Sequence, residues 1–149
     1  MDKLRLNKAC VIHRKSFKPV ASAMPTLSWL RKEGRIGQWG EQTAAVYLVE
    51  RGYEIVAMNV HCAPYGVIDI IAEKDGIVTF VEVKTYSKKQ LGTPAQNIDQ
   101  NKLKKLEAAI HKYVVDMKVK KDIFLDVICV YLKPSVPMFE HFKGIRLEA

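Results

Sequence analysis

The sequence predicts an α/β fold: a mixed β-sheet with helices on both faces, its elements in the order α-β-β-β-α-β. Three observations predict it. The candidate strands are apolar on both sides instead of alternating cleanly, as strands beneath two layers are. The second and third are joined by the short stretch EKDG, a hairpin connection. A long helix separates the third from the fourth, and such a connection normally makes a right-handed parallel crossover.

Taken in order, Gly34 to Arg51 reads as a glycine-rich entry and then a helix. Ala44, Ala45, Leu48 and Val49 supply its apolar face, and Gly52 its C-terminal stop. YEIVAMNV (53–60) is a short strand of mixed burial, and GVIDIIA (66–72) and IVTFVEV (77–83) are two more. TPAQ (93–96) begins a second helix, with Thr93 as N-cap, Pro94 in the first turn and Gln96 completing a capping box. Leu103, Leu106, Ile110, Val114 and Met117 continue it at helical spacing. IFLDVICVYL (123–132) is a long apolar strand. Pro134 and Pro137 interrupt the chain beyond it, and the tail MFEHFKGIRL adds a short edge strand.

With 149 residues the chain has the size of one domain with a substantial core, assigned to residues 33–149. Its net charge is +8, but residues 1–32 hold eight basic side chains against Asp2 alone, a local charge of +7. The excess therefore sits in an N-terminal arm. Such an arm either touches phosphates or is a solvated, disordered leader. It has no apolar centre of the secretory kind, and no run in the chain approaches the ~18 apolar residues of a membrane span. Cys10, Cys62 and Cys129 are far apart, odd in number and without metal-ligand spacing, which reads as reduced thiols in a cytoplasmic protein.

TFVEVKT (79–85) raises the functional question. If Asp75-Gly76 is a two-residue primed turn, Ile71 faces Phe80, Asp69 faces Glu82 and Val67 faces Lys84. Opposed residues stand about 4.5–5.5 Å apart at Cβ. Two carboxylates at that distance on an apolar sheet repel each other and lose hydration, and a hard divalent cation is the natural compensation. Lys84 then holds a water or a developing negative charge, an arrangement suited to metal-assisted phosphodiester hydrolysis. Acid-x-Lys alone is a weak signal, since Asp116-Met117-Lys118 repeats it on a helix. The facing Asp69 makes it stronger. Glu41 lies three, four and seven positions before Ala44, Ala45 and Leu48, on the apolar side of its helix. It either answers the helix dipole or reaches in as a further ligand.

At these residues the chain resembles the PD-(D/E)xK, restriction-endonuclease-like superfamily. Within it, the chain resembles the YraN-like family of bacterial proteins, themselves compared with archaeal Holliday-junction resolvases. The segments that carry the resemblance are GQWGEQTAAVYLVERGYEIVAMN (37–59), GVIDIIAEKDGIVTFVEVKT (66–85), LGTPAQNIDQNKLKKLEAA (91–109) and LDVICV (125–130). The resemblance implies that Glu41, Asp69 and Glu82 bind magnesium or manganese, with Lys84 completing the catalytic set. Lys102 stands where the family's helix lysine follows. Three positions depart from the family pattern: Val67 replaces a glutamate, and Tyr86 and Phe124 replace arginines.

The function so implied is that of a metal-dependent nuclease acting on DNA, in repair or recombination, with Lys88, Lys89 and Lys102 meeting nucleic acid. The alternative is a nucleic-acid-binding protein of the same fold with little or no cleavage. An adaptor reusing the fold is a third reading, for which no residue speaks. Resolvases cut two strands, so the resemblance also suggests a homodimer. No membrane partner is expected.

Overall fold

The computed structural model describes residues 35–86, 99–131 and 137–145. Helix α1 (Ile36–Glu50) closes on a left-handed Gly52, φ 88°. There the amides of Gly52 and Tyr53 donate to the carbonyls of Val49 and Leu48, satisfying the last turn and sending the chain back toward the sheet. Strands β1 (Glu54–His61), β2 (Val67–Lys74) and β3 (Ile77–Tyr86) come next. Then come helix α2 (Gln100–Asp116), strand β4 (Asp122–Tyr131) and strand β5 (Met138–Ile145). The tail thus supplies a full edge strand of eight residues.

The expected α/β architecture is present. One five-stranded sheet runs β1-β2-β3-β4-β5, the same order in space as along the chain. Only β3 and β4 are parallel, with α2 as their crossover. Beneath α1, Ala44, Ala45 and Leu48 meet Ile70, Ala72, Val81, Ile128 and Val130. Beneath α2, Leu106, Ala109, Ile110 and Tyr113 meet Ile71, Val78, Phe80 and Leu125. Phe80 takes the edge of the Tyr113 ring at 5.6 Å, a contact worth about 1 kcal/mol beyond burial.

The hairpin register is the one the turn chemistry predicts. Asp75 and Gly76 both have positive φ, 53° and 76°, as a type I′ turn requires. Ile77 faces Lys74, Phe80 faces Ile71 and Val81 faces Ile70. Two expectations are corrected at this point. The β2–β3 ladder stops at Ile70–Val81, so Asp69 and Glu82, the next positions, form no backbone pair, and Val67 does not face Lys84; it pairs with His61 of β1.

The reason is a break in alternation. Met58 and Ile70 pack beneath α1, whereas Val60 and Ile68, two residues along each strand, pack beneath α2. Residues two apart in a regular strand share a face. The switch falls at Asn59, which is left-handed at φ 51°, and at the Asp69 opposite it.

The predicted start of the second helix also shifts. Thr93, Pro94 and Gln96 lie outside the described residues, and the helix carrying Leu103 to Val114 begins at Gln100. Asp99 is its N-cap, accepting from the Asn101 amide at 2.9 Å, and Met117 is its C-cap. The arm, Cys10, Lys88 and Lys89 lie outside the described residues too. Cys62 and Cys129 are both buried.

A buried polar network fastens β5. Asp126 accepts from the Gly144 amide at 2.9 Å and bonds His141 Nε2 at 2.7 Å. His141 Nδ1 lies 3.2 Å from the Tyr47 hydroxyl of α1. The β4–β5 pairing skips here, with Asp126 alone opposite Lys143 and Gly144, and left-handed Gly144 (φ 63°) forms the bulge. Among the described residues no helix is long and apolar enough to cross a membrane.

Candidate metal-carboxylate site

The site forms where β2 leaves β3. Past Ile70 the ladder has no further backbone pair, and the Val83 amide donates to Asp69 Oδ2 at 2.8 Å. A side-chain carboxylate thus replaces a strand carbonyl, which holds the fork together while aiming the carboxyl into it. Asp69 lies within hydrogen-bonding reach of Glu82 and of Glu41. Burial pushes the Asp69 carboxyl up to about 8, with the charge of Glu82 as the next cause. The Val83 bond opposes both, and Glu41 adds to the rise.

Glu82 reaches the site from β3 and is buried, 9% exposed. Its Oε1 lies 3.4 Å from the ammonium of Lys84 on the same strand and 3.4 Å from that of Lys102 on α2. Burial lowers the Lys84 pKa, and the neighbouring Lys102 amine lowers it further, while Glu82 acts in the opposite direction. Lys102 shows the complementary rise, caused first by its neighbour Lys84. The Lys102 side chain is 59% exposed against 22% for Lys84, so Lys102 is the more open of the two to solvent.

Glu41 comes from the first turns of α1. Burial raises its pKa, a hydrogen bond with Asn59 lowers it, and Glu82 raises it again. Its approach depends on the residue before it. A Cβ built on Gly40 would overlap the Thr85 hydroxyl and come within 2.9 Å of the Thr85 Cβ and Cγ2. Without a side chain at residue 40 the helix settles directly on β3, and Glu41 projects toward the fork.

The structure therefore brings Glu41, Asp69, Glu82, Lys84 and Lys102 together from four elements. Lys88 and Lys89 lie outside the described residues. Sequence reasoning missed Asn59 and Gly40. Asn59 carried a usable signal, because asparagine is depleted in strands and enriched among left-handed residues.

Two further observations bear on what the cluster can hold. Its donors are hard carboxylate oxygens with more negative charge than burial tolerates alone, the donor chemistry that magnesium or manganese prefers. As the side chains stand, however, no three His, Cys, Asp or Glu groups among the described residues form a ready cation cage. Glu82 is drawn toward two ammonium groups, and Asp69 is held by Val83. The residues fit the ion in kind, and a bound ion would have to draw them closer.

Comparison with known proteins covers this same region. A family model described as Uncharacterised protein family UPF0102 matches residues 40–130, which include all five site residues. The UPF0102 protein of Herpetosiphon aurantiacus is 31% identical over 118 residues, 76% of this chain and 94% of that protein. That of Syntrophomonas wolfei is 33% identical over 107 residues, 71% and 92% of the two chains. That of Campylobacter fetus is 39% identical over 99 residues, 66% and 86% of the two chains.

Proposed function

Because the chain belongs to the UPF0102 (YraN-like) family and gathers three carboxylates and two lysines at one fork of its sheet, we propose that it is a metal-dependent nuclease acting on DNA. The observation that carries this reading is the convergence of Glu41, Asp69 and Glu82 from three separate elements, with Asp69 pushed to about 8. Like charges gathered at this cost call for a function, and a cation is their natural partner.

Asp69 and Glu82 would hold a magnesium or manganese ion, with Glu41 as a further ligand. When bound, the ion supplies Lewis-acid polarisation of a phosphodiester and neutralises its charge. The chain's own part is positional. Lys84, half-buried beside Glu82, holds the attacking water or the negative charge that develops on the phosphate. Exposed Lys102 meets the incoming backbone. Asn59 lowers the Glu41 pKa and so favours its charged, ion-binding form.

The test is purified protein with supercoiled and branched DNA, with and without manganese, beside Asp69→Asn. Manganese-dependent nicking by the wild type, lost in the variant, is the expected result. Equal cleavage by both would refute the site. A second reading, binding without cleavage, is favoured by Val67, which is 38% exposed where the resembling family carries a glutamate. A salt-sensitive gel shift with no manganese-dependent product would establish that alternative.

A further inference from the structure

The polar network at Asp126 borders a recess far from the carboxylates. Helix α1 ends at Glu50, so the hairpin end of the face it covers is left open among the described residues. There a cavity of about 300 Å³ opens, lined by Tyr53, Lys74, Thr79, Phe124, Asp126 and Lys143, among others. That volume is at the lower end of the ~300–1,000 Å³ of small-ligand pockets.

Phe124 is anomalous there. It is 49% exposed, whereas the next seven residues of β4 are all buried. An aromatic ring left open on a strand this apolar forgoes about 2 kcal/mol of burial, so its exposure calls for a partner. A second ring, Tyr53, stands in the same wall, with the Lys74 ammonium 5.1 Å from its centroid. Lys74 donates to the uncharged Arg51 carbonyl at 2.8 Å. Among the described residues no carboxylate forms an ion pair with Lys143. Both oxygens of Asp126 are engaged, by His141 and Gly144. The recess thus offers aromatic faces, a buried hydroxyl at Thr79 and two ammonium groups against the one carboxyl of Asp75 at the turn, a surface complementary to a flat ring flanked by anionic groups.

We propose that this recess is a second nucleic-acid contact, taking an unpaired base of a single strand that stacks on Phe124 while the flanking phosphates meet Lys74 and Lys143. A base inside a duplex already stacks on its neighbours and cannot enter; a single strand or a branch point offers one. The contact stands apart from the carboxylate cluster, from which it is separated along β3 by the run from Thr79 to Glu82, roughly 10 Å at strand rise.

The experiment is fluorescence anisotropy of a labelled oligothymidylate, and of its duplex with oligoadenylate, on the full-length protein in chelator, where cleavage plays no part. The single strand is expected to bind more tightly than the duplex. Phe124→Ala should weaken the single strand about tenfold and Phe124→Trp should not. Lys143→Glu should weaken binding and flatten its salt dependence. Phe124 is at the surface, so matching melting temperatures confirm that the variants are folded. Single-strand affinity unchanged by Phe124→Ala would overturn the proposal. So would sedimentation showing that the substitution splits a dimer while oligonucleotide binding stays constant, for the face would then join two copies of the chain. Phe124-dependent binding without any manganese-dependent cleavage would sink the nuclease reading and leave this contact standing.

Discussion

Asp69 has two jobs that pull against each other: its carboxylate completes the backbone bonding of β3, and it stands beside two other acids. The consequence is a pH dependence with a definite sign. Unfolded, the group titrates near its ordinary 3.8; folded, near 8. Between those values the native state holds a proton that the unfolded chain releases. Stability from this group is therefore complete below pH 3.8 and declines until the pH passes about 8. Asp69→Asn keeps an acceptor for the Val83 amide and removes the charge. In chelator the variant should be more stable than wild type at pH 8, on the order of a few kcal/mol, and should lose most of the slope between those values. Denaturant titrations across that range measure both, and a variant that is weaker at pH 8 contradicts this origin of the slope. His141 is a partner of Asp126, whose side chain is 4% exposed, so His141→Ala leaves a buried carboxyl group without that partner. A loss of about 3 kcal/mol is expected in thermal unfolding, with β5 the first element to loosen in hydrogen exchange.

At the scale of elements, α1 is positioned by what residue 40 lacks. Gly40→Ala places a methyl group against Thr85, and relief requires the helix to lift from β3. The expected cost is about 1–3 kcal/mol, accompanied by weaker manganese binding as Glu41 withdraws. Thr85→Ala in the same chain should recover part of both, which a calorimetric titration would show. How far such relations can be read from sequence depends on whether they are periodic. The β2–β3 register was legible because a two-residue Asp-Gly turn admits one geometry, and that register brought Asp69 toward Glu82. The face of α1 carrying Glu41 was legible from helical spacing. The swap of a ladder bond for the Asp69–Val83 bond was not, because alternation contains no mark of where a side chain replaces a carbonyl. The Asp126–His141 pair stayed hidden for a similar reason: it depends on a bulge at Gly144 that shifts β5 by one residue. The start of α2 was misplaced because Thr93 and Asp99 both have N-cap chemistry, and composition does not rank them.

For the whole molecule, charge and sheet are separable. The arm carries +7 of the +8 net charge and precedes the first described helix. A chain beginning at Met24 should unfold at nearly the full-length temperature while its DNA affinity falls and responds less steeply to salt. A loss of many degrees would show that the arm contributes to the core. The sheet, for its part, has the same order in space as in sequence. Each strand is laid beside the one made just before it, and only the α2 crossover must close a long loop before its contacts form. The chain can therefore zip outward from the Asp75-Gly76 turn, with local pairing on the microsecond scale of hairpins and the β3–β4 closure setting the overall rate. The fork that carries the carboxylates lies at the far end of that zipper. Within the hairpin it is the last part to pair and the first to fray, so the Val83 amide, held by a side chain and not by a strand carbonyl, should exchange faster than the β3 amides nearer the turn.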